Sequence, residues 1–108
     1  MASDFCFVYM TAGSVDEARM IGEALVLERL AACVNVIEGM TSIYRWEGEV
    51  RRDAEIVLIA KTRKDRLDRL SERVKTLHSY ECPCIVALPV EVGNPAFLNW
   101  IDEQIKDQ

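Results

Sequence analysis

An α+β domain with its elements in the order β-α-β-β-α-β is predicted by three features of this 108-residue sequence. The first is a nearly unbroken apolar run, Phe5-Cys6-Phe7-Val8-Tyr9-Met10, of the kind found in a strand covered on both faces. A long stretch from Ala32 to Lys61 is the second: it is rich in β-branched and aromatic residues, with Gly48 as its one strong turn signal. Third, each of these regions is followed by a segment in which apolar residues recur every three or four positions, the period of a helix with one buried face.

Taken in order, Asp4 to Thr11 is the expected first strand, and Gly13 breaks it. Ser14-Val15-Asp16-Glu17 then reads as a capping box, with the serine oxygen accepting a free helix N–H and Glu17 reaching back. Ala18, Ile21 and Leu25 form the apolar stripe of the first helix, which is expected to end near Ala31. The arms of a hairpin follow, Ala32 to Trp46 and Glu49 to Lys61. Each is about twice the typical strand of roughly five to six residues, so a break is expected around Gly39 and the hairpin should protrude. Leu67, Leu70, Val74 and Leu77 mark a second amphipathic helix with a solvated outer face. Pro83 forbids helix and opens a last strand, Cys84 to Val90. Gly93-Asn94-Pro95 supplies a turn, a cap and a first-turn proline for a short C-terminal helix carrying Phe97, Leu98, Ile101 and Ile105.

This order is the split β-α-β arrangement, in which right-handed crossovers place both main helices on one face of a four-stranded antiparallel sheet. The opposite face is then expected to be bare. In the third strand Ile56, Leu58 and Ala60 point to one side and Val57 and Ile59 to the other, so the bare face is also apolar. At roughly 25 cal/mol per Å² of apolar surface, several such side chains favour self-association, and a long hairpin offers free backbone groups for pairing. No repeat, linker or low-complexity tract divides the chain, so residues 1–108 are read as one domain.

Half of the residues are apolar, enough for a core without disulfides or a structural metal. Eighteen acidic against thirteen basic residues give a net charge of -5, which excludes a basic footprint for nucleic acid or an anionic membrane. No apolar run approaches the roughly 20 residues needed to cross a bilayer. The start, Met1-Ala2-Ser3-Asp4, carries an acid where a targeting peptide would carry bases, so a cytoplasmic location is expected. Cys6, Cys33, Cys82 and Cys84 sit in apolar surroundings and are expected to be reduced thiols.

Several stretches together resemble the CutA divalent-cation tolerance family. They are Arg29-Leu30-Ala31-Ala32-Cys33-Val34-Asn35, Ser42-Ile43-Tyr44-Arg45-Trp46-Glu47-Gly48, Lys61-Thr62, His78-Ser79-Tyr80-Glu81-Cys82-Pro83 and Leu88-Pro89-Val90 through Leu98-Asn99-Trp100-Ile101. The resemblance implies a ferredoxin-like homotrimer, related in architecture to the P-II signalling proteins, with the long hairpins of neighbouring subunits pairing. It also implies a role in tolerance of copper and other divalent metals. Two departures stand out: Ser79 replaces the usual proline, and Cys84 stands where a glutamate commonly follows Pro83. Met10 and Leu77 occupy positions where some members carry a cysteine and a second histidine.

His78, Cys33, Cys82 and Cys84 are the candidate metal ligands, as neutral imidazole and thiolates suit Cu(I) or Zn(II). Against that stands a packing role for the cysteines and a helix-end role for His78, because no CxxC or HxxxH spacing fixes a metal geometry. Tyr44 and Trp46 share a strand face and are expected to line a cleft or anchor the trimer interface. Lys61 and Glu81, near strand ends, are expected to pair across subunits or to hold a small anion. No cofactor is required, and copper or another divalent cation is the candidate ion; the alternatives are a P-II-like signalling module that binds a small anion or other small ligand, and a structural trimeric scaffold for a partner protein. A Cys82–His78 nucleophile lacks any specified oxyanion donor or orienting group, and no glycine-rich phosphate loop is present, so a binding protein is expected rather than an enzyme.

Overall fold

The structure, a computed structural model, describes residues 2–107. Its main elements are β1 (Phe5–Ala12), α1 (Val15–Leu27), β2 (Cys33–Trp46), β3 (Glu49–Arg63), α2 (Leu67–Leu77), β4 (Ile85–Pro89) and α3 (Pro95–Ile105). Short 3-10 turns at Ala2–Asp4 and Lys64–Arg66 precede β1 and α2. The sheet order is β2-β3-β1-β4 with every neighbouring pair antiparallel, the ferredoxin-like arrangement expected from the element order.

Ser14 caps α1 as expected, its Oγ accepting the Glu17 N–H at 3.2 Å. The helix ends at Leu27 rather than near Ala31, and the reason is local. Arg29 adopts a positive φ of 58°, and the amides of Arg29 and Leu30 turn back to the carbonyls of Val26 and Leu25. These two reversed bonds close the last turn, and the Leu30 and Leu25 side chains both bury beneath it. The sequence offered no glycine there to announce the stop.

Cys6, Val8, Met10 and Ala12 of β1 and Leu58 and Ala60 of β3 meet Ala18, Ile21 and Leu25 of α1 and Leu70 and Val74 of α2 in the main core. Thr62 is fully buried, and its hydroxyl donates to the Leu30 carbonyl at 2.7 Å, which ties the end of β3 to the segment after α1. The opposite face is not wholly bare. α3 folds over one end of it, packing Leu98, Ile101 and Ile105 against Phe5 and Ala32 in a second core.

The rest of that face stays open. Its rows follow from the register: Leu88 beside Phe7, Lys61 and Cys33, then Val86 beside Tyr9, Ile59 and Asn35. Leu88, Val86 and Ile37 are each about half exposed (55%, 52% and 47%), an apolar area that a solitary domain would leave wet.

The hairpin breaks where expected. Ile37 pairs with Val57 and Met40 with Glu55, so β2 carries one extra residue, and Gly39 takes the positive φ of 84° that the bulge needs. At the tip Glu47 and Gly48 both have positive φ, 51° and 80°, which makes the two-residue turn whose twist matches paired strands. Beyond the bulge the hairpin shows apolar side chains on both surfaces. Tyr44 and Trp46 alternate with Ile43, and all three are exposed, as is Val50 opposite.

Candidate functional site

The polar groups gather at the end of the sheet where β1 runs into α1. Helix α2 stops at Leu77, and His78 leaves it in extended geometry with its imidazole 1% exposed. The ring's Nε2 lies 2.7 Å from the Thr11 carbonyl oxygen, and its Nδ1 lies 3.0 Å from the Tyr80 amide. A carbonyl can only accept and an amide N–H can only donate. In this arrangement Nε2 donates to the Thr11 carbonyl and Nδ1 accepts from the Tyr80 amide.

Glu17 completes this anchor from α1. Its carboxylate accepts the Ser79 N–H at 2.5 Å and the Ser79 hydroxyl at 2.9 Å, and Oε1 sits 3.6 Å from His78 Nδ1. The expected capping box is thus half made: Ser14 caps the helix, while Glu17 holds the 78–80 loop. From that loop Tyr80 sets its ring 4.6 Å from the imidazole, tilted by 51° to it, and covers Gly13, where an added Cβ would stand 3.2 Å from the tyrosine hydroxyl. The Tyr80 hydroxyl donates to Glu55 at 2.9 Å.

Glu55 lies at the base of the hairpin, just beyond the apolar part of β3, and also accepts the Ser42 hydroxyl at 2.6 Å. Burial first and the Glu55 bond second push the Tyr80 hydroxyl up to about 12. Next along the hairpin the Tyr44 hydroxyl donates to Asp53, and that bond raises its pKa above the ordinary tyrosine value. Cys84, half-buried just before β4, has its thiol pushed up by burial and then by the negative charge of Glu55.

The four expected metal ligands do not come together in one chain. His78 has both nitrogens committed to the backbone. Cys33 pairs with Lys61, four residues along β3 from the Val57 that faces Thr11, or about 13 Å away along the strand. Cys82 is exposed and Cys84 half-buried at the Glu55 end. Among the described residues no group of three or more His, Cys, Asp or Glu side chains is arranged to hold a metal ion. Lys61 and Glu81 likewise lie at opposite ends of the sheet, so they can meet only between copies. Lys61 instead sits 5.6 Å and 5.5 Å from the ring centroids of Phe7 and Phe97. Sequence reasoning missed Glu17, Ser42 and Glu55; the one visible signal was the switch of β3 from charged to apolar residues at Glu55.

No helix among the described residues is long and apolar enough to cross a membrane. Residues 6–104 match the family model for the CutA1 divalent ion tolerance protein. A divalent-cation tolerance protein CutA of Thermus thermophilus is 53% identical over 96 residues, covering 89% of this chain and 93% of the relative. The chloroplastic protein CutA 1 of rice is 41% identical over 100 residues, 93% of this chain but only 56% of that longer protein. The solved structure of the periplasmic divalent cation tolerance protein CutA of Archaeoglobus fulgidus superposes with a TM-score of 0.92 at 41% identity, covering 94% of this chain and 99% of that one.

Proposed function

The chain belongs to the CutA1 divalent ion tolerance family, and from that membership we propose that it works as a homotrimer that binds copper or another soft or divalent cation weakly. The observation that carries the reading is the apolar surface left open on the sheet and on both sides of the hairpin. A twofold partner would cover one side of the hairpin. A ring of copies covers both, and the free edges of β2 and β4 supply the strand pairing that a head-to-tail ring needs.

The cation reading rests on Cys84, a soft donor at the rim of this open face that feels the charge of Glu55. One chain offers too few donors there, so the remaining ligands come from a neighbouring copy or from water. Weak binding follows from the same environment: the metal must displace a thiol proton that burial and Glu55 hold more tightly than usual. Four free cysteines support a reducing, cytoplasmic location. Both His78 nitrogens are engaged by backbone groups rather than by a cysteine, which favours a binding protein over a Cys–His enzyme.

The test is a titration of reduced protein with Zn(II) and Cu(I). Cys84→Ser is expected to weaken binding by about tenfold or more, roughly 1.4 kcal/mol, and wild-type affinity to rise with pH as the thiol proton is displaced. His78→Gln should bind like wild type. Equal affinities of wild type and Cys84→Ser would remove Cys84 from the site.

A further inference from the structure

Two cations stand on the open side of β3, and the chain treats them differently. Arg63 is met by Asp102 at 2.8 Å, Asp65 at 3.5 Å and Asp4 at 4.0 Å, with its guanidinium 5.1 Å from the Phe5 ring. Lys61 lies on the same face of the strand, and no carboxylate among the described residues pairs with its ammonium. Its half-buried side chain ends instead between two rings, 5.6 Å from Phe7 of β1 and 5.5 Å from Phe97 of α3.

The apolar setting extends past those two rings. Trp100 of α3 stacks on Phe97, with centroids 5.6 Å apart and planes 23° from parallel, and both rings are exposed. Leu88 of β4 lies beside Phe7 and is also exposed. A single positive charge thus sits at the foot of an apolar wall. Ring faces attract a cation, but they do not neutralise it. Once a second copy covers this face, as the trimer reading requires, the ammonium loses water and needs a counter-charge that its own chain does not supply.

We infer that Lys61 and the surrounding rings form a binding site for a small apolar monocarboxylate, whose carboxylate pairs with the ammonium and whose hydrocarbon body packs on Phe97, Trp100 and Leu88. The site rests on the trimer reading for its enclosure, while the binding residues come from one chain. Charge and shape together select this class. One ammonium balances one carboxylate, whereas a phosphate would keep charge and oxygens without donors, because Arg63 is already engaged and no glycine-rich loop lends amides. A polyol would leave hydroxyls unpaired against the rings, and an apolar body gains by covering them. Glu81 of a neighbouring copy is the rival source of a carboxylate, and it would leave no room for a free ligand.

Calorimetric titration of the wild-type protein with benzoate is expected to show saturable binding, with a Kd of about 1 mM or tighter. Benzamide, which has the same ring and no charge, should bind about tenfold or more weakly, and inorganic phosphate should not compete. Lys61→Met keeps an unbranched side chain among the rings and should weaken benzoate about tenfold or more. Phe97→Ala should weaken it about threefold or more. Sedimentation of the same samples reports the assembly separately. A trimer that binds no benzoate would overturn the site and leave the assembly standing, the outcome expected if Glu81 of a neighbour neutralises Lys61. A monomer that binds none would trace the failure to the trimer reading. Equal affinity for benzoate and benzamide, or equal affinity of wild type and Lys61→Met for benzoate, would overturn the site whatever the mass.

Discussion

Changing Ile43 and Trp46 to lysine together is expected to break the proposed trimer into single, folded subunits. The two side chains lie on opposite surfaces of the β2–β3 hairpin and are 66% and 57% exposed in one chain. Burying an apolar side chain of this size contributes roughly 1.5–3 kcal/mol, so the pair accounts for about 3–6 kcal/mol per subunit. Two lysines also bring charges that a packed interface would have to strip of water. The hairpin's own fold should survive, because its turn and register depend on backbone pairing and on Gly48, neither of which changes. Leu27→Lys is the matched control. Leu27 is 82% exposed on α1, on the covered side of the sheet, and its change should leave the mass untouched. Light scattering on the three proteins checks all of this in one series.

His78→Ala is expected to lower the unfolding free energy by about 3–5 kcal/mol, a large share of the 5–15 kcal/mol typical of a domain. The imidazole is almost completely enclosed, so its removal leaves a hole. It also leaves the Thr11 carbonyl and the Tyr80 amide without the partners they have now. His78→Gln should cost less than half as much, because its side-chain amide can still donate to Thr11. Urea unfolding at one fixed protomer concentration is the appropriate measurement, since the stability of an assembly depends on concentration. Equal losses for the two variants would mean that packing, and not the bond to β1, is what His78 contributes.

The fold was legible because its elements are written in local pattern. The apolar run of β1, the three-four spacing of α2, the Asn94-Pro95 start of α3 and the Gly39 bulge all fall where the residues place them. The helix that ends early shows the limit: Arg29 takes a left-handed conformation because Leu25 and Leu30 bury together, and no local residue preference announces that. α3 covering part of the second face was equally silent, since its apolar stripe could have met either side of the sheet.

The polar cluster was less legible for a related reason. His78 was visible as a distinctive residue, yet its role depends on Thr11 and Glu17, 67 and 61 positions away, whose contribution is a carbonyl and a carboxylate like many others. Glu17 looked committed to capping its own helix, and only the approach of the 78–80 loop redirects it. Cys33 and Cys84 were grouped by chemistry, and strand register separates them.

Sedimentation equilibrium of the untreated protein at about micromolar concentration tests the assembly most directly. The expected result is a species of three times the 12.3 kDa chain, unchanged on tenfold dilution. A stable 12.3 kDa species with the Trp46 fluorescence of a fully solvated indole would contradict it, since the open sheet face and both hairpin surfaces would then be wet in the working protein.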